Sequence, residues 1–159
     1  MSQSSVLIIS AEASSVLYAQ RILESWAKSG KKLNVFGVGS NEMEKLGFRR
    51  LGKSEDMAVV GAAEIIEHYS AIKKVFNQIL AEVDRLRPKV AILLDYPEFN
   101  LRLAKELKKR NIPVVYYISP QIWAWRKGRV TQMRDFCDRV LVLFPFEMEF
   151  YRKNQERKQ

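Results

Sequence analysis

The sequence predicts an α/β fold: a Rossmann-like, mainly parallel sheet with helices on both faces. Three observations predict it. The apolar runs at residues 6–10, 90–94 and 114–118 have strand length without alternation, as strands covered on both faces do. Segments of helical spacing separate them, so strands and helices take turns along the chain. No repeat, linker or low-complexity stretch interrupts the 159 residues, a length of about one domain.

Each element follows from local pattern. After the first strand, Val16, Leu17, Ala19, Ile22, Leu23 and Trp26 recur at helical spacing, predicting a helix over 14–29 that Gly30 stops. Residues 33–38 read as a second strand, with Gly37 and Gly39 opening a loop, then a short helix over 41–46 and an edge strand over 48–51. No glycine or proline interrupts residues 62–86, which predict a long helix closed by Pro88. Its stripe of Ile65, Tyr69, Ile72, Phe76, Ile79 and Val83 is widened by Ile66, Val75 and Leu80 beyond what one core contact needs. The strand over 90–94, a helix over 99–110 and the strand over 114–118 follow, and then a strand over 138–144 and a helix over 146–153.

Composition bounds the chemistry. At 47% hydrophobic and 28% charged residues the chain has the balance of a soluble globular protein. It has no apolar run near the ~18 residues of a membrane span, and the stretch from Met1 to Ser5 lacks the basic start of a signal peptide; a cytoplasmic location is expected. One cysteine, Cys137, excludes an internal disulfide, and one histidine, His68, leaves no zinc cluster, so any metal would rest on carboxylates alone. The net charge of +9 favours nucleic acid, anionic lipid or phosphorylated substrates without choosing among them, and part of it lies in the basic tail from Arg152 onward.

The strand over 90–94 ends abruptly in Asp95-Tyr96-Pro97-Glu98. Ligand crevices in open α/β sheets lie beyond the carboxyl ends of strands, so Asp95 stands where chemistry is expected. Pro97 is expected to press Tyr96 towards an extended conformation and stiffen the turn. Asp95 and Glu98 also have the D-x-x-E spacing of a capping box, a purely structural use compatible with the first.

Two further segments lie at the same edge. Ser10-Ala11-Glu12-Ala13-Ser14-Ser15 is a strand-to-helix turn of small residues, suited to a phosphate or sugar hydroxyl; Ser14 as a helix cap and Glu12 as a dipole partner are the structural alternatives. It is not G-x-G-x-x-G, so no dinucleotide fingerprint is present. In residues 118–129, Trp123 and Trp125 stand among Arg126, Lys127 and Arg129: rings for sugar faces and cations for phosphate, or tryptophans packed under a loop. The same mixture describes a single-stranded nucleic-acid surface, which would need a contiguous positive stripe and steeply salt-dependent binding.

Taken in order, Glu12-Ala13-Ser14, Met57-Ala58-Val59-Val60-Gly61 with Glu64, Asp95-Tyr96-Pro97-Glu98-Phe99-Asn100, Ser119-Pro120-Gln121-Ile122-Trp123-Ala124-Trp125-Arg126 and Pro145-Phe146-Glu147 resemble the N-terminal half of lipid-A-disaccharide synthases. The resemblance runs from Val6 to Tyr151. It implies an inverting GT-B glycosyltransferase of Gram-negative bacteria, peripheral on the inner face of the inner membrane. Such an enzyme joins UDP-2,3-diacylglucosamine to 2,3-diacylglucosamine 1-phosphate, with no metal or organic cofactor and no nucleic-acid partner.

Residue by residue, the resemblance implies Asp95 as general base and Glu12, Ser14, Glu64, Asn100, Trp123, Trp125 and Arg126 as acceptor-binding. It implies a membrane-facing surface at Ile65, Ile66, Tyr69, Ile72, Lys73 and Lys74. The departures are Ala11 and Ser15 where the family has glycine, Val16 where it has an acid, and Glu98 where aspartate is usual. A β-carbon at Ala11 or Ser15 is expected to narrow ligand approach. Residues 1–159 correspond to the acceptor-side domain alone, with the nucleotide-sugar domain absent, so the chain by itself is expected to be inactive. The alternative is a non-catalytic lipid-binding or membrane-docking module of the same fold.

Overall fold

The computed structural model describes residues 3–57, 65–117, 127–142 and 144–156. Among these, β1 (Ser5–Ser10), β2 (Asn34–Gly39), β3 (Arg49–Lys53), β4 (Val90–Leu94), β5 (Val114–Tyr117) and β6 (Arg139–Leu141) form one sheet ordered β3-β2-β1-β4-β5-β6. Every neighbouring pair is parallel. The helices are α1 (Ala13–Lys28), α2 (Asn41–Lys45), α3 (Ser54–Met57), α4 (Ile65–Leu86), α5 (Pro97–Lys109), α6 (Lys127–Phe136) and α7 (Pro145–Glu156).

Alternate residues of the central strands feed two cores. Leu7, Ile9, Ala91 and Leu93 pack with Ile79 and Val83 of α4, Leu103 and Leu107 of α5 and Met133 of α6. Val6 and Ile8 pack on the other face with Ala19 and Leu23 of α1 and Met43 of α2. Period-two side-chain alternation thus serves two apolar layers, and this is why the strands read as unbroken apolar runs.

The differences from expectation have physical causes. Gly37 lies inside β2 instead of opening a loop: at φ 142 a β-carbon there would lie 2.0 Å from the Ile8 carbonyl oxygen, and the β2–β3 register slips between Gly37 and Val38. α3 has no counterpart among the expected elements, because four residues are too few to carry a periodic signal. The final strand is three residues, Arg139–Leu141, not the seven expected over 138–144. The long helix is described from Ile65; residues 62–64, 118 and 143 of the expected elements lie outside the described residues.

One mismatch of lengths shapes the functional edge. The 22 residues of α4 span about 33 Å, whereas the five of β4 span about 17 Å. A helix joining parallel strands runs antiparallel to them, so α4 begins at the edge where the strands end. Its C-terminal half is core, with Ile79 and Val83 fully buried; Ile72, Val75 and Phe76, half-buried, still pack against that core, and the turns before them overhang, with Tyr69 59% exposed.

Candidate active site

The last registered pair between β1 and β4 is Ser10 with Leu94. From β1 the chain turns outward to β2, and from β4 it turns the opposite way to β5, so the connections diverge between these two strands. That divergence opens a crevice beyond the strand ends. Ala11-Glu12 leaves on one side of it and Asp95-Tyr96 on the other.

The Asp95–Tyr96 turn is strained. Asp95 has φ 49 and Tyr96 φ 45, ψ 62, two successive left-handed residues other than glycine. Each costs about 1–2 kcal/mol relative to ordinary backbone. This corrects both expectations for the turn: Tyr96 is not extended, and Asp95 does not cap the following helix. α5 starts two residues earlier than expected, at Pro97, with Tyr96 as N-cap and no side-chain cap bond. Surrounding groups hold the turn. The Tyr116 hydroxyl donates to the Asp95 backbone oxygen, and Asn100 Nδ2 donates to the same oxygen at 2.7 Å and to Leu94 O at 3.2 Å. Tyr96 in turn donates its hydroxyl to Met57 O at 3.1 Å, while Ser54 Oγ donates to Ser10 O at 2.8 Å, so α3 is laced to both strand ends.

With its backbone fixed, Asp95 presents a half-buried carboxyl. Burial raises its pKa above the ordinary aspartate value, and the Tyr96 amide offsets part of this. The Tyr96 phenol is raised too, first by burial and then by the negative charge of Glu12.

Glu12 is exposed at the N-cap of α1, and Ser14 is exposed beside it. Ser14 is not the cap residue: Ser15 Oγ accepts from Glu12 N at 3.1 Å and donates to Glu12 O at 2.8 Å. Fully buried in that role, Ser15 turns its β-carbon into the helix start, away from solvent.

Asn100 is also fully buried, beneath the turn and not on the crevice surface. Glu98 is exposed and ion-paired with Arg129 of α6, so that cation serves a carboxylate of this chain. Lys73 and Lys74 are exposed on the overhanging part of α4 with Tyr69, whereas Ile72 is half-buried. The side chains of Ile65 and Ile66, and Glu64, Trp123, Trp125 and Arg126 entirely, lie outside the described residues. Tyr116, Ser54 and Met57 escaped the sequence reading as site-builders; the one available signal was a phenol inside the buried run Val-Val-Tyr-Tyr.

No helix of the described residues is long and apolar enough to cross a membrane.

The fold is similar to that of MurG from Acinetobacter baumannii, a GT-B glycosyltransferase, with a TM-score of 0.56 at 11% identity, over 91% of this chain and 42% of that one. In sequence, the lipid-A-disaccharide synthase of Koribacter versatilis is 45% identical over 150 residues, 94% of this chain. Those of Anaeromyxobacter dehalogenans and Syntrophus aciditrophicus are 43% and 39% identical over 92% and 96% of it. The chain spans only 39%, 38% and 40% of these relatives' lengths. The family model described as lipid-A-disaccharide synthetase matches residues 6–157, and the chain therefore belongs to that family.

Proposed function

We propose that this chain is the acceptor-binding, base-carrying part of an inverting glycosyltransferase that joins UDP-2,3-diacylglucosamine to 2,3-diacylglucosamine 1-phosphate. The observation that carries the reading is Asp95: a half-buried carboxyl at the topological switch point, on a backbone turn held by Tyr116 and Asn100, with its pKa raised above the ordinary aspartate value. Asp95 takes the proton of the acceptor's 6-hydroxyl as that oxygen bonds to the donor's anomeric carbon, and the bond from that carbon to UDP breaks on the opposite face. Glu12 and Ser14, exposed on the facing lip, are assigned to acceptor hydroxyls, together with Glu64, Trp123, Trp125 and Arg126. Asn100, buried under the turn, is assigned to positioning Asp95.

The nucleotide-sugar site is assigned to the part of the relatives' length that the chain does not span. Tyr69, Lys73 and Lys74, with Ile65, Ile66 and Ile72 of the same helix, are assigned to docking on the inner face of the inner membrane.

The test fuses residues 1–159 to the remaining length of the Koribacter versatilis synthase and assays disaccharide formation. Turnover is expected, falling about 10²–10⁴-fold with Asp95→Ala. Turnover unaffected by Asp95→Ala sinks the assignment of the base; a folded fusion with no turnover sinks the catalytic reading and favours a binding module.

A further inference from the structure

The peptide that joins Asp95 to Tyr96 has one end in the core. Its oxygen accepts from the Tyr116 hydroxyl and from Asn100 Nδ2, the latter at 2.7 Å, and both donors belong to fully buried residues. In a planar trans peptide the N–H points opposite to the C=O. With the oxygen drawn inward, the Tyr96 N–H is turned outward, where it serves the half-buried Asp95 carboxyl as a donor. Pro97 has no N–H, so no second amide donor follows it before Glu98.

The neighbouring residues favour the opposite orientation. Turning the peptide over would carry φ of Tyr96 from 45 through about 180° into the extended region, which a residue before proline prefers. The inverted N–H would also meet an acceptor, since the buried Asn100 Oδ1 makes no hydrogen bond among the described residues. Two arrangements of one peptide therefore compete, and the bond from Tyr116 weighs for the observed one. Tyr116 reaches the turn through its hydroxyl alone, so phenylalanine in its place isolates that bond.

We infer that the Tyr96 N–H is a fixed hydrogen-bond donor of the crevice, aimed at the ionised Asp95 carboxylate, and that Tyr116, which anchors the other end of the same peptide, is a positioning residue for the base. The role of Asp95 as base rests on the reading proposed above; the orientation of the peptide does not. Because the N–H favours the ionised carboxyl, it opposes the effect of burial and keeps Asp95 ready to accept a proton.

The 159-residue chain, carbon- and nitrogen-labelled, is titrated by NMR between about pH 3 and 8. The other carboxyls at this edge, Glu12 of the α1 cap and Glu98 of α5, the latter paired with Arg129 of α6, are followed by their own side-chain carbons. The phenols of Tyr96 and Tyr116 stay protonated, both held above the ordinary value by burial. In the parent the Tyr96 amide proton is expected to shift with the midpoint of the Asp95 carboxyl. In Tyr116→Phe that response should fall at least about twofold and the Asp95 midpoint should rise by about 0.5–1 pH unit, the share of one N–H where two or three hold a carboxylate below about 2. Ile79→Val, a core change of comparable cost to stability that leaves the turn untouched, should move neither reading.

A Tyr96 amide that ignores Asp95 in the parent overturns the inference, and this reading needs no variant to fold. So does an unmoved Asp95 midpoint in folded Tyr116→Phe, or the same rise in Ile79→Val, since Tyr116 would then be structural only. In the fusion described above, Tyr116→Phe should carry the acid limb of kcat/KM upward by the interval that the carboxyl moves. If the midpoint moves in the chain while turnover of the fusion is indifferent to Asp95→Ala, the peptide device stands and the reading of Asp95 as base falls instead.

Discussion

The hydroxyl of Tyr116 donates to the backbone oxygen of Asp95, joining the middle of β5 to the residue after β4 across 21 positions of sequence. Asn100 adds two bonds from inside α5, so the strained turn is held from a strand and a helix at once. Tyr116→Phe is expected to cost about 1–2 kcal/mol of stability, since the Asp95 oxygen keeps its second donor. Asn100→Ala is expected to cost more, about 2–4 kcal/mol, because it leaves Leu94 O without its side-chain donor and opens a cavity in a fully buried position. Urea unfolding of the two variants checks the order; equal losses would mean that the two donors are not independent.

A half-buried carboxyl with a raised pKa makes the folded state less stable once it ionises. Asp95 binds its proton more tightly folded than unfolded, so its contribution is fully present below the unfolded pKa of about 3.9 and is lost as pH rises through the higher folded value. Asp95→Asn removes the charge and keeps a residue tolerant of left-handed backbone. The variant is expected to melt above the parent at pH 7, with the advantage shrinking as pH falls to about 3. A constant difference across that range would assign the gain to the backbone instead.

Gly37 allows the closest approach in the sheet. Alanine there would force a β-carbon against the Ile8 carbonyl, at a φ that side chains rarely adopt. Gly37→Ala is expected to cost about 3–5 kcal/mol, read as a lowered urea midpoint or as failure to fold. Gly30→Ala is the control: it too has positive φ, but with no atom within 4 Å of the added carbon it should cost only about 1 kcal/mol.

The sheet was legible because its strands are covered on both faces and interrupted by strongly periodic helices; β4 emerges at Val90–Leu94, as expected. The turn after it was misread for a specific reason. D-x-x-E and x-Pro are local rules, and local rules predicted a capping carboxylate and an extended Tyr96. Bonds from Tyr116, and from the Tyr96 hydroxyl to Met57, come from 21 and 39 residues away, and they stabilise a backbone that neighbouring residues alone disfavour. The position of Asp95 was legible nevertheless, since a strand's carboxyl end is visible in sequence even when its backbone angles are not. The burial of Asn100 was not, because the sequence does not show which side of the turn an amide faces. Ser14 and Ser15 stand one residue apart in the same turn, and only the helix phase distinguishes the exposed one from the cap.

The overhang of α4 leads to a prediction about surfaces. Lys73 and Lys74 are adjacent and exposed, Tyr69 is exposed one turn earlier, and the chain carries a net charge of +9. If this end of the helix meets an anionic bilayer, each lysine contributes about 1 kcal/mol near the surface, or roughly fivefold in affinity. Lys73→Gln with Lys74→Gln should therefore weaken co-sedimentation with vesicles containing anionic phospholipid by about 25-fold at low salt. Half-molar salt should weaken the parent in the same direction, because the Debye length then falls well below 10 Å. Lys31→Gln with Lys32→Gln, beyond the C-terminal end of α1 and therefore at the opposite edge of the sheet, is the charge-matched control and should change binding little. Equal losses in the two double variants would assign the attraction to net charge alone and remove the membrane role from α4.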